Sequence, residues 1–137
     1  MKRGYLLLMI LTSLLAGAVL ADDLVVFAHR GMPKSDAATL KRLYTGRIVS
    51  ISQQSARPVN LVAGHPLRDV FLARLIGQDE REYTGYWLVR RYVGKGAPPA
   101  EFATVEEMIE FVGNTPGAVG YAPANLLPPD SNIIFRP

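Results

Sequence analysis

The sequence predicts an α/β domain with a largely parallel or mixed sheet covered by helices. Short runs rich in β-formers alternate along the chain with segments of helical periodicity, which is the pattern of strands interleaved with helices. Glycine and proline punctuate that alternation at nearly every junction. A chain of 137 residues without a single Cys must hold such a domain together by packing alone.

The first 21 residues are set apart. Met1-Lys2-Arg3 gives a basic start, Tyr5 to Leu20 is apolar apart from Thr12, Ser13 and Gly17, and Val19-Leu20-Ala21 suits a cleavage point. This is the pattern of a secretory signal peptide cut between Ala21 and Asp22, and the apolar run is shorter than the roughly 20 residues a spanning helix needs. No Cys follows it for lipid anchoring. Residues 22–137 then form one domain. Removing residues 1–21 takes away Lys2 and Arg3, so 15 basic residues become 13 against 12 acidic ones and the formal charge falls from +3 to +1. That near-balance gives no footprint for nucleic-acid binding.

Leu24 to Ala28 is a continuous apolar run and reads as a strand buried on both faces. After a polar loop from His29 to Lys34, Ser35 is expected to cap a helix whose inward face is Ala37, Leu40, Leu43 and Tyr44, ended by Gly46. Arg47 to Ser52 is a short strand or an extended arm, and Val59 to Ala63 a second clear strand. Gly64-His65-Pro66 leads into a helix with Leu67, Val70, Phe71, Leu75 and Ile76 turned inward and Gly77 at its end; Pro66 suits the first helical turn.

Asp79 opens a third helix to about Tyr92, with Tyr83, Tyr86, Trp87 and Val93 on its apolar side. The loop Gly94 to Pro99 has no helical option. Thr104 and Glu107 suggest a capping box before the stripe Val105, Met108, Ile109 and Val112. Asn114 to Gly117 is a turn, Ala118 to Ala122 a core strand and Asn132 to Phe135 a late edge strand.

Four segments in this order carry a resemblance: Leu40 to Gly46, Pro58 to Val62, Gly64 to Phe71, and Asn114-Thr115-Pro116-Gly117-Ala118-Val119-Gly120-Tyr121. Together they are similar to the second lobe of the periplasmic phosphate-binding proteins of ABC transporters, and the last segment is the most specific match. The resemblance implies a single lobe of the type 2 periplasmic-binding-protein fold. It also implies a periplasmic location, no enzymatic activity and no cofactor. The implied role is weak binding of phosphate or a similar small oxyanion in phosphate uptake or sensing, in the setting of a membrane transporter or sensor. The sequence departs from that pattern where the family's Ser-Gly-Thr ligand loop stands as Ala63-Gly64-His65-Pro66, without the hydroxyl donors. A counterpart of the first lobe is also missing, so closure over a ligand would need a homodimer or a partner.

The candidate oxyanion site is Gly64, His65 and Arg68 at the entry of the second helix, where free N–H groups and the positive end of the helix dipole gather. His29 and Arg30 follow the first strand, at the end where open α/β sheets place ligands, and could join Arg68. Alternatively Arg68 is solvated, and His29 and Arg30 are ordinary loop residues. A second functional reading is an interaction module that has lost ligand binding. Catalysis has little support: there is no Gly-x-Ser-x-Gly elbow, no Cys and no P-loop, and His29 and His65 lack metal-ligand spacing.

Overall fold

The computed structural model describes residues 23–137, so the expected signal peptide lies outside the described residues. Strand β1 (Leu24–Ala28) leads to α1 (Ala37–Tyr44) and to a hairpin of two-residue strands, β2 (Ser50–Ile51) and β3 (Gln54–Ser55). β4 (Arg57–Leu61) and α2 (Pro66–Phe71) follow, with α2 running on through a π-helical segment, Leu72–Ile76. Then come α3 (Glu80–Tyr92), β5 (Ala100–Phe102), α4 (Val105–Asn114), β6 (Ala118–Pro123), a 3-10 turn at Ala124–Leu126 and β7 (Asn132–Phe135).

The main sheet is mixed, in the order β5-β4-β6-β1-β7. β4 runs parallel to both β5 and β6, whereas β1 runs antiparallel to its neighbours β6 and β7. The apolar run of β1 is buried along its whole length because the strand lies between β6 and β7 with helices packed above and below. Side chains alternate across β6 and show how the layers are assigned. A Cβ on Gly120 would meet Met108 and Val112 of α4, while the next ring, Tyr121, stacks on Phe71 of α2 at 3.9 Å on the other side. Phe71 in turn meets Tyr44 of α1 edge-on at 4.7 Å. One face of the sheet is thus covered by α4 and the other by α1 and α2.

Local chemistry sets the helix ends. Asp36, and not Ser35, caps α1: its carboxylate accepts the Thr39 N–H at 2.8 Å, a bond that holds this carboxyl below its ordinary pKa. The two residues cap comparably well, and the path of the chain decides: the Ser35 N–H is held by the Ile134 carbonyl at 2.9 Å, which puts Asp36 at the helix entry. Asp79 and Glu82 form a reciprocal capping box at α3. At α4 only the forward half of the expected box forms, with Thr104 Oγ1 accepting from the Glu107 N–H at 3.2 Å. The π segment ends on Gly77, whose N–H reaches back to the Leu72 carbonyl at 2.7 Å.

α3 fastens the end of α1. Tyr83 Oη donates to the carbonyl of Tyr44 at 2.9 Å, Tyr86 Oη to that of Thr45 at 2.7 Å, and an Arg90 guanidinium N–H to that of Gly46 at 3.1 Å. Side chains on one face of α3 therefore satisfy successive carbonyls that the end of α1 would leave orphaned. The aromatic cluster is core packing, with its hydroxyls turned to backbone oxygens and not to the surface. Val93 departs from the expected inward face and is exposed, because it is the C-cap, where the chain turns away toward Gly94; Tyr92 beside it is exposed as well.

Candidate functional site

The loop after β4 carries Gly64 and His65 at the end of the sheet where the parallel strands finish. Gly64 has φ +90 and is exposed, and His65 is the N-cap of α2. The His65 ring accepts the Leu67 N–H through Nδ1 at 3.1 Å, so its proton resides on Nε2 when the imidazole is neutral. That leaves Nε2–H for another acceptor.

Arg68 lies elsewhere. It is 3% exposed, and points from α2 into the gap between the end of β4, α3 and β5. Its Nε donates to Glu80 Oε2 at 2.9 Å, its Nη1 donates to the Leu61 carbonyl at 2.8 Å, and Glu101 Oε1 lies 3.4 Å from Nη1. The guanidinium also sits over the Tyr83 ring, 5.5 Å from its centroid. Burial alone would weaken its hold on the proton, but the hydrogen bond and charge of Glu80, followed by the charge of Glu101, more than offset that, and its pKa lies above the ordinary value. Arg68 is therefore neither solvated nor presented to the Gly64–His65 loop. It is the buried hub of an ion cluster whose two carboxylates reach the surface. The sequence holds a signal for this: Arg68, Phe71, Leu72 and Leu75 fall at i, i+3, i+4 and i+7, which puts the cation on the apolar stripe of its own helix.

His29 and Arg30 are at the opposite end of the sheet from Gly64 and His65. Because β1 runs antiparallel to β6, the C-terminal end of β1 sits beside the start of β6, where the His29 N–H donates to the Ala118 carbonyl at 2.9 Å. The start of β4 lies at that same end, with Arg57 in register with Ala118. The two halves of the expected anion site are thus separated by the length of the sheet. His29 Nδ1 also lies 3.0 Å from the Val112 carbonyl, which requires the proton on Nδ1, and Arg30 is exposed. Among the described residues no group of three or more His, Cys, Asp or Glu side chains is placed to hold a metal ion.

Beside Arg68 lies a polar cluster that sequence reasoning missed. Asn60 is 1% exposed; its Oδ1 accepts from the Leu61 N–H at 3.0 Å and from the Tyr121 hydroxyl, which also accepts from Leu61 N–H at 3.1 Å. Tyr44 Oη reaches the carbonyls of Val59 at 2.8 Å and Val119 at 3.1 Å, so it ties β4 to β6. Burial pushes the Tyr83 hydroxyl up to about 12, and raises those of Tyr121 and Tyr44 as well. The unfolded chain begins to ionise these phenols near pH 10 while the native state does not, so above pH 10 the unfolded state binds fewer protons. Stability is expected to be level in these groups up to about pH 10 and to fall as pH rises toward 12. Denaturant midpoints measured across that range, with phenolate absorbance recorded alongside, check this: the buried tyrosines should ionise together with unfolding.

Comparison with known structures places the fold. The chain is similar to the crystal structure of an ABC-type phosphate transport receptor from Vibrio cholerae, with a TM-score of 0.62 at 21% identity. The similarity covers 82% of this chain and 45% of the receptor. The shared element is the fold: a mixed sheet flanked by helices, consistent with a single lobe of a type 2 periplasmic binding protein. The chain spans less than half the length of that receptor. No family model and no curated protein matches it.

Proposed function

We propose that this protein is an exported, non-enzymatic module of the solute-receptor type that works in the periplasm in phosphate uptake or sensing. On its own it holds phosphate or a similar oxyanion weakly, at Gly64 and His65. The observation that carries this reading is the engagement of Arg68 by Glu80 and Glu101, which leaves the loop after β4 with His65 Nε2 but without a dedicated cation, the His65 N–H being given to the Val62 carbonyl and the Leu67 N–H to the His65 ring. A helix terminus contributes about 0.3–1 kcal/mol and a charge-assisted hydrogen bond about 1.5–3 kcal/mol. After the cost of association, that is the scale of a millimolar complex, near 4 kcal/mol. Tight capture needs a second wall, from another copy of the chain or from a partner.

A second reading has its own support. Leu88, Val89, Tyr92 and Val93 project from the outer side and end of α3, and Tyr92 is 92% exposed. Such a face suits a module that has lost ligand binding and docks on a membrane transporter or sensor.

Amide chemical shifts followed during titration with phosphate, and again with sulfate, discriminate the two. The first reading predicts fast-exchange shifts at Gly64 and His65 with half-saturation in the millimolar range, nearly equal for both anions, and no change at His29 or Arg30. No response at Gly64 and His65 would sink it and leave the docking reading.

A further inference from the structure

Helix α3 is apolar on both sides, and only its inner side is covered. Tyr83 and Trp87 are buried beneath it, whereas Leu88, Val89, Tyr92 and Val93 are each more than half exposed. At about 100° per residue, Leu88, Val89 and Tyr92 share one outward face, and Val93 borders it at the C-cap. A contiguous apolar patch of this kind on a folded surface marks a contact. The helix end that carries it is anchored from below. Arg90 donates to the Gly46 carbonyl at 3.1 Å and lies over the Tyr86 and Trp87 rings, which fixes the outer side chains in water.

Charge identifies what covers the patch. Between Glu82 and Glu101 the sequence has no Asp or Glu, yet it holds Arg90, Arg91 and Lys95. Arg91 and Lys95 are exposed and in no ion pair among the described residues. The same holds for Arg81, two turns before Leu88 on the outer face. The acids at the margins are occupied: Glu101 lines the hollow beside Leu88 and Arg91 but faces Arg68, and Glu82 serves the helix start. A second copy of the chain would set these like charges against each other, and a protein interface takes about 20–30 residues a side. Four apolar side chains at a helix end, flanked by free cations, instead have the chemistry of an interfacial membrane contact. Among the described residues no helix is long and apolar enough to cross a bilayer, so the contact is with its surface. We propose that the outer face at the C-terminal end of α3 binds an anionic bilayer surface. Leu88, Val89, Tyr92 and Val93 enter the boundary between headgroups and acyl chains, while Arg91, Lys95 and Arg81 lie along the lipid phosphates. The proposal is independent of the oxyanion reading, and it gives to lipid the face that the second reading gives to a protein.

Vesicle flotation tests this, with phosphatidylglycerol mixed into phosphatidylcholine set against phosphatidylcholine alone. Residues 1–21 include an apolar stretch with its own affinity for a bilayer, so the decisive comparison is with variants that share it. The wild type should partition into the anionic vesicles at least about tenfold more strongly than into the neutral ones. That preference should fade toward 1 M salt, where the Debye length is about 3 Å. Arg91→Gln with Lys95→Gln should weaken anionic partition about twentyfold, each cation being worth about fivefold at such a surface. Leu88→Ser with Tyr92→Ser should weaken it at least about tenfold. All four positions are exposed, so both variants should keep the wild-type unfolding midpoint. Inorganic phosphate should displace the protein no more than chloride does at equal ionic strength. Equal binding to neutral vesicles, undiminished binding by either variant, or selective displacement by inorganic phosphate would overturn the proposal. An absence of flotation would overturn it too, and leave the face to a second copy or a protein partner.

Discussion

Arg68→Ala is expected to destabilise the fold by about 3 kcal/mol, a large share of the 5–15 kcal/mol that holds a typical domain. Removing one partner of a buried pair leaves the other charges uncompensated, which costs about 3–5 kcal/mol when both are out of water. Here the side chains of Glu80 and Glu101 are 28% and 41% exposed, so water recovers part of the loss and the lower end applies. The Leu61 carbonyl also loses its donor at the end of β4. Urea denaturation of the two proteins measures the difference. Arg68→Met, which keeps an apolar stem in the buried site, should cost less. The consequence for function is direct: loss of a phosphate response in Arg68→Ala would report a weakened lobe, not a missing ligand contact.

Gly117→Ala is expected to cost as much, about 3 kcal/mol or more, for two reasons that act together. Gly117 has φ +80, where an L side chain is strained by about 1–2 kcal/mol. A Cβ there would also stand 2.6 Å from the Ser55 carbonyl oxygen, a backbone atom that cannot rotate away. That carbonyl ends β3, and the Gly117 carbonyl accepts the Arg57 N–H at 2.8 Å, so the clash would push apart the entries of β4 and β6. Gly85→Ala gives the opposite sign as a control. Gly85 lies in the middle of α3 with open space where its Cβ would go, and the change should stabilise by about 0.5–1 kcal/mol. Thermal or urea unfolding of the pair reads both effects.

Much of the architecture is legible in the sequence because burial leaves a periodic trace. Leu24 to Ala28, Val105 to Val112 and Ala118 to Tyr121 each occupy the element their pattern predicts. Strand direction leaves no such trace. A run buried on both faces looks the same parallel or antiparallel, and the antiparallel course of β1 is what carries His29 and Arg30 away from Gly64 and His65. β5 escaped notice because Ala100, Glu101 and Phe102 are too few to show alternation, yet this strand brings Glu101 to Arg68. The Arg68 cluster joins side chains from α2, α3 and β5, and pairing across such distances in sequence is a property of the tertiary fold alone. The cap falls on Asp36, one residue beyond the expected Ser35, since both are good acceptors and only the path of the chain chooses between them.

The account turns on a lobe-like fold whose buried arginine serves the fold and not a ligand. Calorimetric titration of the purified protein with inorganic phosphate, repeated with sulfate, tests this most directly. The account predicts heat that fits only a millimolar, unselective association, with little difference between the two anions. One-to-one, phosphate-selective binding in the micromolar range would contradict it, because a closed anion cage would then exist with Arg68 already held by Glu80 and Glu101.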